Sequence, residues 1–306
     1  MEFNPNKVGF GRHETFALRY SWLTKGFLAL QNDPKIFSND DAVVNLGVGR
    51  NMVNAIRFWL SASRLATQTQ DGYFSTPLGE AIFDKDGYDP YLEDEATIWL
   101  IHWLIATNPE QATAWYWFFN RFHKPVFTSQ EASTALLEFA KQNVLGKYSQ
   151  TTVKNDALVL LRMYARSRGN TNKPLEEALD SPLSILNLVS QAPGGRTYFS
   201  HQADREGLPL GIFGFAVTEL FQTVGKQALP IDELMYAKDG NPSLGAVFRL
   251  TENALITKLE RLIQQVPELF ELRETAGIHQ LYLMGEIEPA DMLAFHYESM
   301  GREVAA

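Results

Sequence analysis

The sequence contains no cysteine, and this absence removes several kinds of chemistry at once. Disulfide bonds, thiolate nucleophiles, thiol-ligated zinc and iron–sulfur clusters all require that residue. Long hydrophobic runs are also missing, because the most apolar segment, residues 97–107, has about half of the roughly 20 residues that a membrane span needs. The first residues lack the basic start and apolar run of a signal peptide. We therefore expect a protein of the reducing cytoplasm without membrane association.

Basic residues are in the minority, with 27 Lys and Arg against 36 Asp and Glu and a formal net charge of −9. A generic nucleic-acid binder usually has the opposite balance. The charge is uneven, however. Residues 1–70 carry eight basic against five acidic side chains, and residues 141–173 carry seven against one. Residues 83–110 carry one against seven, and residues 204–306 eight against sixteen. Any nucleic-acid contact must be local, although solvated helix faces also produce such differences.

Helical periodicity dominates and strand-like alternation is scarce, which predicts a mainly α fold. Helices are predicted over residues 14–30, 40–46 and 49–65, followed by a hairpin whose Asp71-Gly72 pair favours a tight turn. Three helices and a hairpin in this order are typical of a winged helix-turn-helix. Helices over 132–142 and 153–166 form a candidate second helix-turn-helix without a wing. Later helices that end in a hairpin near residue 278 predict a winged-helix-like module.

The chain is long enough for several folding units, because single hydrophobic cores stop growing near roughly 250–300 residues. We predict tandem winged helix-turn-helix modules joined by a helical middle segment, with the divisions 1–84, 85–204 and 205–306. Connectors are predicted at 170–174 and 191–196. All six tryptophans precede residue 120, so the N-terminal module and the start of the middle segment are expected to share one aromatic core.

The outer face of the third predicted helix carries residue types that bind DNA. At roughly 100° per residue, Arg50, Asn54 and Arg57 fall opposite the apolar side chains, with Asn51 beside them. Arginine pairs with guanine edges and phosphates, and asparagine with adenine edges. The alternative is a protein-contact module with a merely solvated basic face. Further DNA contacts are predicted at Arg19, Lys25, Asn155, Arg162 and Arg166.

No established catalytic signature is present, neither a phosphate-binding glycine loop nor His-Glu-x-x-His. Two groups of candidate catalytic residues remain. His13 and Glu14 place an acid–base residue beside a carboxylate, although Glu14 also suits the first turn of a helix. Asp89, Glu93 and Asp94 are candidate ligands of a divalent metal, Mg²⁺ or Mn²⁺, and the last two are candidate catalytic carboxylates. The alternative is an acidic loop that caps the following helix.

Several separated motifs resemble, in the same order, the family known as domain of unknown function four thousand and seven. The resemblance extends from His13 to about Leu283. The motifs are His13-Glu14-Thr15-Phe16 with Arg19, Trp22 and Lys25; Leu46-Gly47-Val48-Gly49-Arg50-Asn51-Met52-Val53; Asp89-Pro90-Tyr91-Leu92-Glu93-Asp94; Trp99 with His102-Trp103; Ala114-Trp115-Tyr116-Trp117-Phe118-Phe119-Asn120; and Asp180-Ser181-Pro182-Leu183. One departure is Arg50, where the family often has lysine, which preserves the charge.

The resemblance implies a part in bacterial DNA phosphorothioation, an antiviral defence against phage. The SspB branch of this family is regarded as the DNA-nicking component of single-stranded phosphorothioation. Its implied partners are DNA, a cysteine desulfurase, an ATP-dependent sulfur-activating enzyme and an ATPase. Whether this chain is an enzyme stays open at this stage. The preferred hypothesis is a metal-assisted nicking endonuclease, the alternative is a non-catalytic DNA-binding adaptor that recruits the sulfur-transfer enzymes, and a protein-interaction scaffold is a third.

Overall fold

A computed structural model describes residues 1–166, 181–275 and 277–304 of the chain. Within these ranges there are thirteen α-helices and eight short strands, which form three small sheets. The prediction of a mainly helical fold is therefore confirmed. Every helix in these ranges is too short or too polar to cross a lipid bilayer. The predicted connector at 170–174, the cationic residues Arg168 and Lys173, and Asp180 of the last motif lie outside the described residues.

The chain divides into two compact units. We call Asn4–Phe118 with Lys124–His201 the larger unit, and Met1–Phe3 with Phe119–His123 and Gln202–Ala306 the smaller unit. The smaller unit therefore combines segments that are distant in sequence, whereas only residues 119–123 interrupt the larger unit. The predicted divisions at residues 84 and 204 stay predictions.

The larger unit begins with three helices and a hairpin. These elements are α1 (Tyr20–Asn32), α2 (Ala42–Leu46), α3 (Arg50–Ala62), β1 (Ala66–Gln68) and β2 (Tyr73–Ser75). The first helix starts at Tyr20 instead of residue 14, because Glu14 and Thr15 have φ angles of 50° and 66° that no α-helix accommodates. The order agrees with the expected winged helix-turn-helix, while the tandem winged-helix arrangement stays a prediction.

Helices α1 and α3 pack closely because α1 has a glycine where they meet. A Cβ atom added at Gly26 would lie 2.4 Å from Cγ2 of Ile56 and 3.0 Å from Cδ1 of Leu60. The buried faces of the two helices supply Leu23 and Phe27 on one side and Ile56 and Leu60 on the other. The absence of a side chain at Gly26 thus positions the outer face of α3.

The rest of the larger unit is built from longer helices and one small sheet. These elements are α4 (Pro77–Phe83), α5 (Glu95–Ala106), α6 (Thr113–Asn120), α7 (Ser129–Asn143), α8 (Gln150–Tyr164), β3 (Val126–Thr128), β4 (Ser190–Gln191) and β5 (Thr197–Phe199). The last two residues of α6 belong to the smaller unit. The strand order is β3-β5-β4, antiparallel throughout. All six tryptophans are buried in the larger unit, which agrees with the prediction of one shared aromatic core.

The start of α7 forms a capping box. The Thr128 hydroxyl accepts a hydrogen bond from the backbone N–H of Glu131, whose carboxylate accepts one from the backbone N–H of Thr128. Hydrogen bonds from Lys124 and Thr128 to this carboxylate lower the pKa of Glu131 to about 2. The negative charge stays at the positive end of the helix dipole over the whole neutral range.

The smaller unit combines helices with a three-stranded antiparallel sheet. Its elements are α9 (Leu210–Val224), β6 (Ala228–Pro230), α10 (Ile231–Met235), α11 (Leu244–Phe248), α12 (Glu252–Gln265), β7 (Phe270–Thr275), β8 (Ile278–Leu283) and α13 (Pro289–Val304). The strand order is β6-β8-β7. The β7–β8 pair confirms the hairpin that was predicted from alternating residues.

A buried arginine organises part of the smaller unit. Arg249 is 5% exposed, and its guanidinium donates to the backbone carbonyls of Phe119, Phe122 and Ala246. Burial, with a smaller effect from the nearby Arg205, lowers the pKa of Arg249 to about 9. The side chain thereby satisfies carbonyl groups at the end of α6 that have no partner within that helix.

The close packing of α1 on α3 leads to a stability prediction. We expect Gly26→Ala to lower the free energy of unfolding by about 1–3 kcal/mol, because the new methyl group overpacks the contact with Ile56. Urea unfolding followed by tryptophan fluorescence measures this difference. Gly146→Ala is the matched control, because nothing lies within 4 Å of an added Cβ there. Equal losses in both variants would contradict the packing argument.

Candidate functional site

The loop of residues 9–16 places the predicted catalytic histidine in the aromatic core of the larger unit. His13 is 1% exposed, and its ring stacks on Trp59 with the ring centroids 6.0 Å apart. The rings of Phe58 and Trp115 meet it edge-on, with centroid distances of 5.7 and 5.5 Å. The loop is therefore anchored by an imidazole that lies between α3 and α6.

Both ring nitrogens of His13 are engaged in hydrogen bonds within the protein. The backbone N–H of Thr15 donates to Nδ1 over 3.1 Å, and Nε2 lies 3.0 Å from Oδ1 of Asp156. Because Nδ1 is an acceptor, the proton of the neutral ring is on Nε2, and this N–H donates a hydrogen bond to the carboxylate. Asp156 is also 1% exposed and accepts from the backbone N–H of Gly11 at 3.0 Å. This geometry favours a structural role for His13, and its acid–base role stays a prediction.

The two residues after His13 form a strained turn that is held from two sides. Glu14 and Thr15 are consecutive non-glycine residues with positive φ, a conformation that costs on the order of 1–3 kcal/mol each. The Arg162 guanidinium on α8 donates to the Thr15 carbonyl at 2.9 Å, and the Trp59 indole N–H donates to the Phe16 carbonyl at 3.2 Å. The turn directs the exposed Glu14 side chain to within 3.5 Å of the Asn54 amide on α3.

This turn brings together residues that the sequence assigned to separate functions. His13 and Glu14 were predicted as catalytic, and Asn54 and Arg162 as DNA-binding. Asn54 hydrogen-bonds to Glu14, and Arg162 hydrogen-bonds to the Thr15 carbonyl in the same turn. Arg162 lies 147 positions after Thr15, so sequence proximity carried no sign of the contact. The predicted roles of all four residues stay predictions.

The predicted DNA-binding face of α3 is exposed at the start of the helix and half-buried at Asn54 and Arg57. Arg50 and Asn51 are exposed at the start of the helix, where the Arg50 guanidinium donates to the Asn39 carbonyl and lies 3.5 Å from an Asp40 carboxylate oxygen. Two turns later, the Arg57 guanidinium lies over the Tyr73 ring of β2 at 5.8 Å. Arg50 therefore lies beside a carboxylate, whereas Arg57 lies against an aromatic ring.

The other predicted DNA-binding residues are more dispersed. The Arg19 guanidinium lies 5.1 Å from the Trp22 ring centroid, and the Lys25 ammonium donates to the Leu46 carbonyl at 2.9 Å. Asn155 lines a small polar groove between α7 and α8, and Arg166 is exposed just after α8. The structure connects none of these four directly with the turn at Glu14 in the described hydrogen bonds.

Two of the predicted metal ligands accept hydrogen bonds from backbone N–H groups at the start of α5. Asp89 is 5% exposed, and its two carboxylate oxygens accept the backbone N–H groups of Glu93 and Asp94 at 2.8 and 3.1 Å. The Asp94 carboxylate is the N-cap of the helix and accepts from the backbone N–H of Ala96. The Glu93 side chain is exposed. In the part of the chain that the structure describes, no three His, Asp or Glu side chains cluster around a point that suits a metal ion. Asp89 and Asp94 use their carboxylates for backbone hydrogen bonds, and the metal role stays a prediction.

A groove of about 820 Å³ with several arginines was not predicted from the sequence. Arg57 of α3, Arg64 just after α3 and Arg12 of the N-terminal loop line it, together with Tyr73 of β2. The helical pattern did place Arg57 on the outer side of α3. The position of Arg12 beside them depends on how the N-terminal loop folds, which no local pattern encodes.

Comparisons with known proteins agree on one family. The family model described as "Protein of unknown function (DUF4007)" matches residues 10–297. A crystal structure of SspB is 26% identical, with a TM-score of 0.82, and the match covers 95% of this chain and 88% of that one. A magnesium ion-bound crystal structure of SspB is 27% identical, with a TM-score of 0.83 and the same coverage. No protein of curated function matches the chain.

The buried His13–Asp156 pair leads to a second stability prediction. Asp156→Ala leaves the N–H groups of His13 and Gly11 buried without their acceptor, and we expect a loss of about 3 kcal/mol in the free energy of unfolding. Urea unfolding of the variant and of the exposed control Glu138→Ala measures the effect. A variant as stable as the unaltered protein would show that the pair does not hold the loop.

Proposed function

The chain belongs to the DUF4007 family, and from this premise we propose that it is the DNA-binding component of a bacterial DNA phosphorothioation system that defends against phage. The similarity to SspB over 95% of the chain is the observation that carries the proposal. In this role the protein works in the cytoplasm with DNA, a sulfur-transfer enzyme and an ATPase. Because it has no cysteine, it cannot carry the sulfur itself as a persulfide.

The distribution of charged side chains supports DNA as the ligand. Arginine and asparagine are exposed at the start of α3 and half-buried further along it, while the acidic excess is concentrated in residues 83–110 and 204–306. Exposed charges act over roughly one Debye length, about 8 Å at physiological salt. A locally basic surface can therefore attract phosphates although the whole chain is acidic.

We further propose that the protein nicks one DNA strand. Replacing a non-bridging phosphate oxygen by sulfur requires access to the backbone, and a nick provides it. Of the four predicted catalytic residues, His13 is sealed in the core and the Asp94 carboxylate caps a helix. Glu14 and Glu93 are exposed, and Glu14 also lines the arginine-containing groove. This placement favours Glu14 as the carboxylate nearest to a bound strand.

The second candidate function is a DNA-binding adaptor without a nuclease site. One observation favours it, namely that Asp89 and Asp94 use their carboxylates for backbone hydrogen bonds and do not assemble with Glu93 into a metal centre. An adaptor would hold DNA and recruit the sulfur-transfer enzymes. The magnesium ion in an SspB structure favours the nickase, since a related protein binds the cation.

Plasmid nicking separates the two candidates. We expect the purified protein to convert supercoiled plasmid to open circles with Mg²⁺ or Mn²⁺, and Glu14→Gln to slow this by about a hundredfold, the usual size of an acid–base contribution. Glu93→Gln and Asp94→Asn test the acidic group, and Asn at position 94 retains the helix cap. Tight DNA binding by the unaltered protein without open circles would favour the adaptor.

Salt dependence tests the DNA-binding face. We expect the double variant Arg50→Ala and Arg57→Ala to bind duplex DNA more weakly and to reduce the slope of log K against log salt by about 1.8, since each phosphate contact contributes about 0.9. Fluorescence anisotropy at several salt concentrations gives both values. The control is Lys85→Ala, which removes an exposed cation from the acidic connector. An unchanged affinity and slope would exclude the α3 face from the interface.

A further inference from the structure

The arginine-containing groove is formed by three separate parts of the larger unit. The end of α3 and the turn after it contribute Arg57 and Arg64, the hairpin contributes Gln68 and Tyr73, and the loops contribute Arg12 and Gln111. We name these six residues the arginine groove. The two strands of the hairpin that lines it are paired by backbone hydrogen bonds, and the Arg64 backbone has a φ of 57°.

The cations of the arginine groove are held in place by neighbouring groups. The Arg12 guanidinium donates to Oε1 of Gln111 at 2.7 Å and to the Val8 carbonyl at 3.3 Å. Arg57 lies over the Tyr73 ring, and Arg64 donates to the Thr107 hydroxyl at 3.1 Å. A guanidinium has five N–H donors, so Arg12 keeps donors for a ligand after these contacts. The arginines are therefore positioned before any ligand binds.

The amide side chains of the groove also present donors. The Tyr73 hydroxyl donates to Oε1 of Gln68 at 2.9 Å, and Arg12 occupies Oε1 of Gln111. With both amide oxygens engaged, the NH₂ group of each glutamine is the donor that is left for a ligand. A surface that combines guanidinium and amide donors is suited to the oxygens of a phosphate.

Two carboxylates, those of Glu14 and Glu110, also line this groove. Among the described residues, no Asp or Glu oxygen lies within 4.0 Å of the Arg12 or Arg57 guanidinium. Of the acidic residues at the edge of the groove, Glu110 pairs with Lys7 at 3.3 Å and Glu14 accepts from Asn54. Arginines without carboxylate partners in a chain with an acidic excess indicate an anionic ligand.

The shape of the arginine groove distinguishes between a duplex and a single strand. A protein reads a duplex by inserting a convex element, such as a helix, into a major groove about 12 Å wide. The arginine groove is concave, and its volume of about 820 Å³ falls in the range of sites for small ligands. Single-stranded DNA fits such a groove, with its phosphates on cations and a base stacked beside an aromatic ring.

We propose that the arginine groove binds the phosphodiester backbone of single-stranded DNA, and that Arg12 and Arg57 contact its phosphates while Tyr73 faces a base. This inference rests on the proposed function for the identity of the polyanion. It adds a second DNA surface, separate from the start of α3 at Arg50, and it assigns a binding role to Arg12.

Anisotropy of two labelled probes tests the inference on the full chain. The probes are an oligothymidylate of about 12 nucleotides, within the usual single-strand site size, and a duplex of the same length. We expect the double variant Arg12→Gln and Arg57→Gln to reduce the salt slope for the single strand by about 1.4, at about 0.7 per lost contact. Lys85→Gln, which removes an exposed cation outside the groove, is the matched control, and we expect it to leave the single-strand slope unchanged.

A variant that retains both charges separates the loss of phosphate contacts from effects on folding. Arg12→Lys with Arg57→Lys should restore most of the single-strand slope, because lysine retains the charge at each position. The inference is overturned if the two glutamine substitutions leave single-strand binding unchanged, or if Lys85→Gln reduces it equally. If the unaltered protein binds the duplex but not the oligothymidylate, the inference fails and the proposed function stands. If it binds neither probe, both fail.

Discussion

The hydrogen bond between His13 and Asp156 is the contact on which the rest of the site depends. It joins the N-terminal loop to α8 inside the aromatic core, where neither side chain is more than 1% exposed. Buried polar groups are costly when unpaired, so the pair is stable only if the loop closes over it. Closure then forces Glu14 and Thr15 into left-handed conformations, and the neighbouring contacts offset that strain. The placement of Glu14 and Arg12 at the surface follows from this one buried contact.

Much of the fold could be predicted from the sequence because many of its helices have apolar periodicity and several begin at a Ser, Thr or Asp cap. The hairpin after α3 and the capping box of α7 were both recognisable from a few residues. The sheet β3-β5-β4 was not predicted, since strands of two or three residues have no measurable alternation and β3 lies about 70 positions before its partner β5. The start of α1 was placed too early because apolar spacing continues through Phe16, while backbone conformation at Glu14 and Thr15 depends on tertiary contacts.

The candidate site was predicted by residue type and only partly by position. Asp and Glu before a helix are favoured both as caps and as metal ligands, and the two roles give the same sequence pattern. At Asp89 and Asp94 the structure shows backbone N–H groups as partners, which the sequence could not distinguish from a cation. A histidine beside a glutamate likewise looks the same whether its ring is buried or exposed. Burial of His13 is a property of the whole core, and periodicity around one residue does not report it.

The net charge of −9 acquires a different meaning once the arginines are located. Long-range repulsion between an acidic protein and DNA is screened within about 10 Å in salt, whereas a guanidinium in direct contact with a phosphate is screened much less. An acidic chain with a few uncompensated arginines would therefore bind DNA weakly at most of its surface and firmly where those arginines lie. Such a protein discriminates between strands by the shape of the cationic groove more than by overall attraction. In the proposed role, this restricts contact with the backbone to the strand that the groove can hold.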